Sequence, residues 1–153
     1  MGHKMKKRAA LTISVFMALV LAGFSTNAQS AAGGSGVLVA RGNGIVVISG
    51  SGSVDLVTNG FLMISGDAEV GFFGEEAEGI ELQDGKVMYI NLDEKVTVSG
   101  EDMEITCGGT IIYMHANCSC DVFLVGSGLY REGLKVGLWS SAGVEIGIEA
   151  LGR

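Results

Sequence analysis

A histidine, two cysteines and an aspartate lie within one short stretch, as His115, Cys118, Cys120 and Asp121. Imidazole and thiolate groups at this spacing can bind zinc or copper. In a β-strand, however, successive side chains point to opposite faces, so the even-numbered cysteines would face away from His115. Buried cysteines also behave as small hydrophobic side chains. We therefore expect the two cysteines to lie in the core, with a metal site at these four residues as the lesser alternative.

The third cysteine, Cys107, could form a disulfide with Cys118 or Cys120. In an exported protein, three cysteines are compatible with one disulfide and a free thiol, or with buried thiols and no bridge. Two interpretations follow: a disulfide from Cys107 to Cys118 or Cys120, or three thiols packed in the core.

Carboxylates form short clusters along the chain: Glu75, Glu76 and Glu78; Asp93 and Glu94; and Glu101, Asp102 and Glu104. Oxygen ligands of this kind bind calcium, and extracellular proteins use weak calcium sites. No EF-hand spacing is present, so we expect these clusters mainly to be solvated corners that keep the protein soluble. Calcium is the one cofactor that the composition suggests, and none is required.

Catalytic arrangements are missing from the sequence. His115 is the only histidine after Ser30, and neither a serine-nucleophile elbow nor a phosphate-binding loop is present. We therefore expect a protein that is not an enzyme, and we assign no catalytic residue.

The N-terminal segment, 1–30, has the pattern of a secretory signal peptide. Four basic residues between Lys4 and Arg8 precede an uncharged apolar run at 9–24, and a short polar segment with small residues ends at Ser30. The apolar run is shorter than the about 20 residues that span a bilayer. We expect cleavage before Ala31, which leaves a domain at 31–153 in the periplasm or outside the cell.

The charge after Ser30 is strongly negative. Six basic and 17 acidic residues lie there, a net charge of −11. Such a surface repels phosphate groups, whose binding depends on Lys and Arg. Nucleic acid is therefore excluded as a partner, as is a membrane once the leader is removed.

Repeats indicate the elements that would position these residues. A turn residue followed by glycine recurs about every 24 residues, at Ser35-Gly36, Asn59-Gly60, Asp84-Gly85, Gly108-Gly109 and Glu132-Gly133. Apolar residues recur every eight positions from Ala40 to Val144, and only Glu104 and Gly128 interrupt that series. Alternation of period two within the apolar runs is typical of strands.

These patterns predict an all-β domain at 31–153, in the form of a single-stranded β-solenoid of about five 24-residue, three-sided coils with even-numbered residues inward. The alternative is an antiparallel β-meander that forms a sandwich or barrel, because Asn43-Gly44 and Asn59-Gly60 favour hairpins. A two-residue hairpin pairs residues of opposite parity, whereas stacked coils of constant length keep one parity inward. The constant even parity therefore favours the solenoid.

In stacked coils, the outward side of the first strand of each unit would carry one apolar and aromatic stripe. Its members are Val39, Met63, Val87, Tyr89, Ile111 and Tyr113. Such stripes mark contact surfaces, unless a terminal segment covers them. The outward residues of the second strands, such as Lys95 and Thr97, are expected to be plain solvent-facing surface.

The run GNGIVVISGSGSVDLVTNGFLMISG resembles short, secreted, glycine-rich β-solenoid repeat proteins, many of them adhesin-like. It is also similar to bactofilins, polymer-forming β-helices that generally lack an export signal. The resemblance implies a structural or surface-interaction protein of the cell surface or matrix, which associates into a homo-oligomer or polymer through its exposed end coils. The alternative is an extracellular calcium- or glycan-binding module.

Overall fold

The computed structural model describes residues 36–92 and 94–149. The strands in these ranges are β1 (Val37–Thr58), β2 (Phe61–Phe72), β3 (Ile80–Glu81), β4 (Val87–Ile90), β5 (Val96–Glu132), β6 (Lys135–Leu138) and β7 (Val144–Ile148). The prediction of an all-β domain is confirmed. In the described ranges there is no helix long and apolar enough to cross a membrane. The predicted signal peptide, 1–30, lies outside the described residues.

The strands form one open antiparallel sheet in the order β1-β5-β2-β4-β3, with β6 and β7 also paired to β5. β5 pairs with both edges of β1: Ala40 lies opposite Met114 on one edge and opposite Tyr130 on the other. Ala40 and Leu56 of β1 lie on opposite sides of Met114. The twisted strand β1 must therefore curl back on itself between Ala40 and Leu56. The open sheet is therefore folded over on itself into two layers.

The first layer contains the two ends of β1, 38–42 and 54–58, beside residues 112–116 of β5. The second layer contains the middle of β1, 46–50, between residues 103–107 and 120–124 of β5. β6 extends the first layer, and β7, β4 and β3 extend the second.

The hydrophobic core lies between the two layers, and even-numbered residues supply most of it. Among the fully buried side chains are Leu38, Ile48, Leu56, Leu62, Ile112, Met114 and Leu124. Each such Leu or Ile stabilises the fold by about 1.5–3 kcal/mol through the apolar area it removes from water. The expectation that even-numbered residues face inward is confirmed for most of β1, β2, β5 and β7.

The middle of β5 is the exception, because odd-numbered residues face inward there. Met103, Ile105 and Cys107 are buried, whereas Glu104 is exposed. The register shows the cause: Gly52 pairs with Gly100 but Gly50 pairs with Met103, so β5 contains one extra residue between them. A β-bulge of this kind reverses the parity of every residue that follows. A second bulge before Ile112 restores the even parity, and the interruption of the eight-residue series at Glu104 is thereby explained.

The predicted stack of three-sided, 24-residue parallel coils is not what the structure shows, because every strand ladder in the described residues is antiparallel. The antiparallel alternative is closer. A two-residue hairpin between consecutive strands would reverse the inward parity. β1 and β5 instead pair at a register in which even positions face even positions, such as Ala40 with Met114. One parity thus stays inward without any parallel coil.

The curl of β1 requires close backbone contact where glycines of neighbouring strands meet. Gly44 lies opposite Gly126, at φ values of 135° and 132° that side-chain-bearing residues rarely adopt. A Cβ on Gly44 would overlap the carbonyl oxygen of Val125 and lie 2.9 Å from the Gly126 Cα. Glycine at this corner is therefore a steric requirement.

The turn from β1 to β2 is held against the second bulge of β5. The Asn59 side-chain oxygen accepts hydrogen bonds from the backbone N–H groups of Thr110 and Ile111, each 3.1 Å long. Its amide nitrogen donates to Thr110 Oγ1 at 2.7 Å. Thr58, which is buried, donates from Oγ1 to the Gly108 carbonyl oxygen at 3.1 Å. These bonds satisfy backbone groups that a bulge leaves without ladder partners.

Trp139, directly after β6, packs into the core. Its side chain is buried, and its indole N–H donates to the Leu129 carbonyl oxygen at 3.1 Å. Its backbone N–H donates to the Gly128 carbonyl oxygen at 3.0 Å. A Cβ on Gly42 would come within 3.1 Å of the indole ring. The absence of a side chain at Gly42 therefore makes room for the ring.

Candidate functional site

The four residues suggested as metal ligands are not brought together. Cys118 and Cys120 are buried among the core residues, whereas Asp121 is exposed and the half-buried His115 lies on the outer face of the first layer. Neither in 36–92 nor in 94–149 do three His, Cys, Asp or Glu side chains converge as metal ligands would. The acidic clusters of the described residues are likewise exposed carboxylates, and Asp93 lies outside the described residues.

The disulfide in the structure joins Cys118 to Cys120, and Cys107 is a buried free thiol. The predicted bridge from Cys107 to Cys118 or Cys120 is therefore wrong. β1 lies between the β5 segment that holds Cys107 and the β5 segment that holds the other two cysteines. Two strand spacings, about 9.6 Å, exceed the Cα separation of about 7 Å that a disulfide can bridge. All three cysteines are buried, as the other interpretation required, but that interpretation of three unbridged thiols is wrong for Cys118 and Cys120.

The predicted apolar stripe is divided among four places. Val39 and Tyr113 lie on the outer face of the first layer, and Ile111 is exposed at the second bulge. Met63 lies in the second layer, opposite Thr106 and Met88.

Val87 and Tyr89, the two remaining members of the stripe, face the opposite way. They lie opposite the buried residues Ile64 and Leu62, and the Tyr89 ring packs edge-on against Phe72 with 5.4 Å between the centroids. The predicted stripe required coils of constant length stacked in register. Because β1 curls instead, other residues are brought together and the stripe does not form.

The pairing of the strands instead aligns polar residues across the outer face of the first layer. His115 lies directly opposite Asp55, and Asp55 lies opposite Thr97 on the next segment of β5. Two positions along, Tyr113 lies opposite Val57. Side chains opposite one another on the same face of a sheet are about 5 Å apart. Neighbouring strand segments thus present one continuous set of side chains.

These side chains surround a groove that is open to solvent and has a volume of about 330 Å³. It is lined by Asp55, Leu56, Val57, Lys95, Tyr113 and His115. We refer to it as the outer groove.

Asp55 is the most constrained polar group in the outer groove. Its Oδ1 accepts a hydrogen bond of 2.6 Å from Thr97 Oγ1, and its Oδ2 lies 3.5 Å from Lys95 Nζ. The Lys95 ammonium group also lies 4.5 Å from the centroid of the Phe73 ring. Both partners are partly solvent-exposed, so the ion pair contributes little to stability. Its effect is to fix the directions of the carboxylate and the ammonium group.

Tyr113 and His115 were individually singled out from the sequence, but Asp55 and Lys95 were not. Lys95 and Thr97 were expected to be plain solvent-facing surface. Asp55 lies on β1 and His115 on β5, with three other strands between them in the chain. No local pattern links such residues, and only the register of β1 against β5 places them together.

A second surface lies at the hairpin of β5 and β6, where four large apolar residues are exposed. Leu134 is fully exposed, and Leu129, Val136 and Leu138 are 56%, 65% and 68% exposed. In the described part of the chain β6 pairs only with β5, through Leu129 opposite Leu138 and Arg131 opposite Val136. We refer to the free edge of β6, with these four side chains, as the β6 edge.

Within 36–92 and 94–149, two surfaces thus suggest binding: the outer groove, which is polar and aromatic, and the β6 edge, which is apolar with unpaired backbone. Both belong to the first layer. In comparisons of the chain with known proteins, no family model, no curated protein and no solved structure matches it.

Proposed function

We propose that the protein is a secreted, non-enzymatic surface-interaction protein whose copies associate through the β6 edge. The observation that carries the proposal is the combination of a free strand edge with the exposed side chains of Val136 and Leu138. An edge strand offers unpaired N–H and C=O groups to another chain, and natural proteins usually protect such edges. The β6 strand has one charged residue of its own, Lys135.

The β6 edge is complementary to itself. If two copies pair antiparallel about a two-fold axis through Val136, Val136 lies opposite its counterpart and Leu138 lies opposite Leu134 of the second copy. Lys135 then lies opposite Gly137, so the two ammonium groups do not face each other. The first layers of both copies become one continuous sheet. Such an isologous contact closes as a dimer.

The contact would be weak. Three apolar side chains per copy bury a fraction of the about 1.5–3 kcal/mol that each contributes when it is removed fully from water. Association costs at least about 4 kcal/mol in translational and rotational freedom. We therefore expect a weak dimer, which is relevant where copies are concentrated on a surface or in a matrix.

A secreted role is supported by the basic and apolar pattern of the N-terminal segment, 1–30. The net charge of −11 after Ser30, from six basic and 17 acidic residues, supports a protein partner rather than nucleic acid.

Sedimentation equilibrium from micromolar to millimolar protein tests the association. We expect a monomer–dimer equilibrium in the native protein, and a strict monomer for Val136→Lys, because lysine on an edge strand opposes edge pairing. Added salt should strengthen the dimer, since it screens the repulsion between two negatively charged copies.

Ile111→Lys is the matched control, since Ile111 is 64% exposed and lies outside β6. It should dimerise as the native protein does. A native protein that stays monomeric at millimolar concentration, or a dimer that survives Val136→Lys, would contradict the proposal. Circular dichroism shows whether both variants retain the fold.

A further inference from the structure

We infer that the outer groove binds a neutral carbohydrate, in the form of one or two sugar rings of a longer glycan. The inference goes beyond self-association and uses other residues, since the outer groove lies on 55–57, 95 and 113–115 and the β6 edge on 129–138. It stands on the shape of the groove, on its aromatic side chain and on its fixed polar groups.

The size of the groove suits a small ring. Its volume of about 330 Å³ is near the lower end of the range for small-molecule sites, about 300–1,000 Å³. Tyr113 and His115 lie two positions apart on one strand, and Val57 and Asp55 lie opposite them. Strand geometry makes this rectangle about 5 Å by 7 Å. A pyranose ring that lies flat over these four side chains can contact all of them.

The Tyr113 and Val57 side of the rectangle is apolar. The Tyr113 side chain is 46% exposed and has the half-buried Val57 directly opposite it. A tyrosine ring offers a rigid apolar surface with a hydroxyl at its tip. One face of a pyranose carries only C–H groups, and it can stack on such a ring while the hydroxyl groups around its rim remain free.

The other side of the rectangle holds the groups that sugar hydroxyls need. The Asp55 carboxylate accepts hydrogen bonds, the Lys95 ammonium group donates them, and the His115 imidazole offers two ring nitrogens. Thr97 and Lys95 already hold the Asp55 carboxylate in place, at 2.6 Å and 3.5 Å. Polar groups that are fixed in advance lose little conformational entropy when a ligand binds.

The same ion pair disfavours an anionic ligand. The Lys95 charge is balanced by the Asp55 carboxylate at 3.5 Å, and that carboxylate would repel a phosphate or sulfate group placed in the groove. A ligand that carries both donors and acceptors but no charge satisfies both members of the pair. Neutral sugars have this chemistry.

Heteronuclear NMR titration of the purified protein tests the inference, with cellobiose, maltose and N,N′-diacetylchitobiose as the probes. We expect at least one disaccharide to shift the ring resonances of Tyr113 and His115 in a saturable manner. Tyr113→Ala should weaken that binding about tenfold, and Tyr113→Phe should retain most of it, because the ring remains.

Two further variants separate the groove from the rest of the protein. Ile90→Ala removes an apolar side chain of similar exposure, 51%, on β4 of the second layer and should bind the sugar as the native protein does. Val136→Lys should also bind it unchanged, so that failure of self-association and failure of sugar binding are distinguishable.

Three results would overturn the inference. One is the lack of a saturable shift with all three disaccharides at millimolar concentration, and another is binding that persists unchanged in Tyr113→Ala. The third is a titration in which inorganic phosphate, and no sugar, shifts the Tyr113 and His115 resonances, which would make the outer groove an anion site.

Discussion

The Cys107 thiol lies between the layers, where burial raises its pKa to about 12 and a hydrogen bond with the backbone of Val46 opposes that rise. In the unfolded chain the same thiol has a pKa of about 9. The folded protein thus retains a proton that the unfolded chain releases between these two values. Cys118 and Cys120 do not titrate, because they are joined by the disulfide.

A pH dependence of stability follows from this difference. The contribution of the neutral Cys107 thiol is fully present below pH about 9 and is lost as the pH rises towards about 12, because the unfolded state then binds fewer protons. We expect the free energy of unfolding to fall by at most about 1.4 kcal/mol per pH unit in this window. Urea titrations at several pH values measure it.

Cys107→Ala provides the comparison for that measurement. The variant should be less stable than the native protein at pH 7, and the difference should shrink as the pH rises above about 9. The same difference at every pH would show that the thiol remains accessible to solvent and is not buried as described.

The close contact of β1 with β5 at Gly44 should make this glycine essential to the packing of the two strands. Gly44→Ala should destabilise the protein by more than about 3 kcal/mol or prevent folding, since a Cβ there overlaps backbone atoms of a neighbouring strand at a positive φ. Thermal unfolding followed by circular dichroism measures the loss.

Gly85→Ala is the matched control for that corner. Gly85 also has a positive φ, 84°, but a Cβ there would have no heavy atom within 4 Å. Gly85→Ala should lower the free energy of unfolding by only about 1 kcal/mol, the conformational penalty of a positive φ alone. Equal losses for the two variants would indicate that strand contact at Gly44 does not matter.

The inward face of most of β1, β2, β5 and β7 was predictable from the sequence, because local alternation of apolar residues determines it. The pairing of the strands was not predictable, because it depends on their register. Alternation placed Ile48, Leu56 and Ile112 inward correctly, because a half-buried strand needs one apolar face. The partner of each strand was not predictable, since β1 pairs with β5 and not with β2, the next strand in the chain. The bulge before Met103 follows Gly100, but a chain with 25 glycines contains many such residues, so this one does not single out the position of the bulge.

The candidate site shows the same division. Tyr113 was predicted as a contact residue because it is aromatic and lies at an outward position. Its neighbours Val57 and Asp55 were not, because the two strand segments meet only through the curl of β1. When strands that are distant in the sequence pair, the residues they bring together have no characteristic spacing in the sequence. Such residues could not be identified together from the sequence alone.

At the scale of the whole molecule, the same long-range pairing governs the folding rate. Sheets in which most contacts are non-local fold in about milliseconds to seconds. The chain contains no proline, so no X-Pro isomerisation can add a slower phase. We expect stopped-flow refolding of the oxidised protein to show one phase in this range, unaffected by a prolyl isomerase.

A double-jump experiment checks that expectation. The refolding amplitude should not depend on how long the chain has been unfolded, because no isomers accumulate during the delay. A slow phase that grows with the delay would require another slow process in the unfolded chain.

The pairing of β1 also determines the order of events during synthesis. In the described part of the chain, β5 is the only strand that pairs with β1, and Leu38 needs Glu132 as its neighbour. At about 5–20 residues per second, the ribosome takes roughly 4 to 15 seconds to add the stretch from the end of β1 to the end of β5. β1 has no partner in that interval until residues 96–100 of β5 are made, and its pairing is complete only with Glu132. A molecular chaperone or a secretion channel would therefore meet this chain while it is still unfolded.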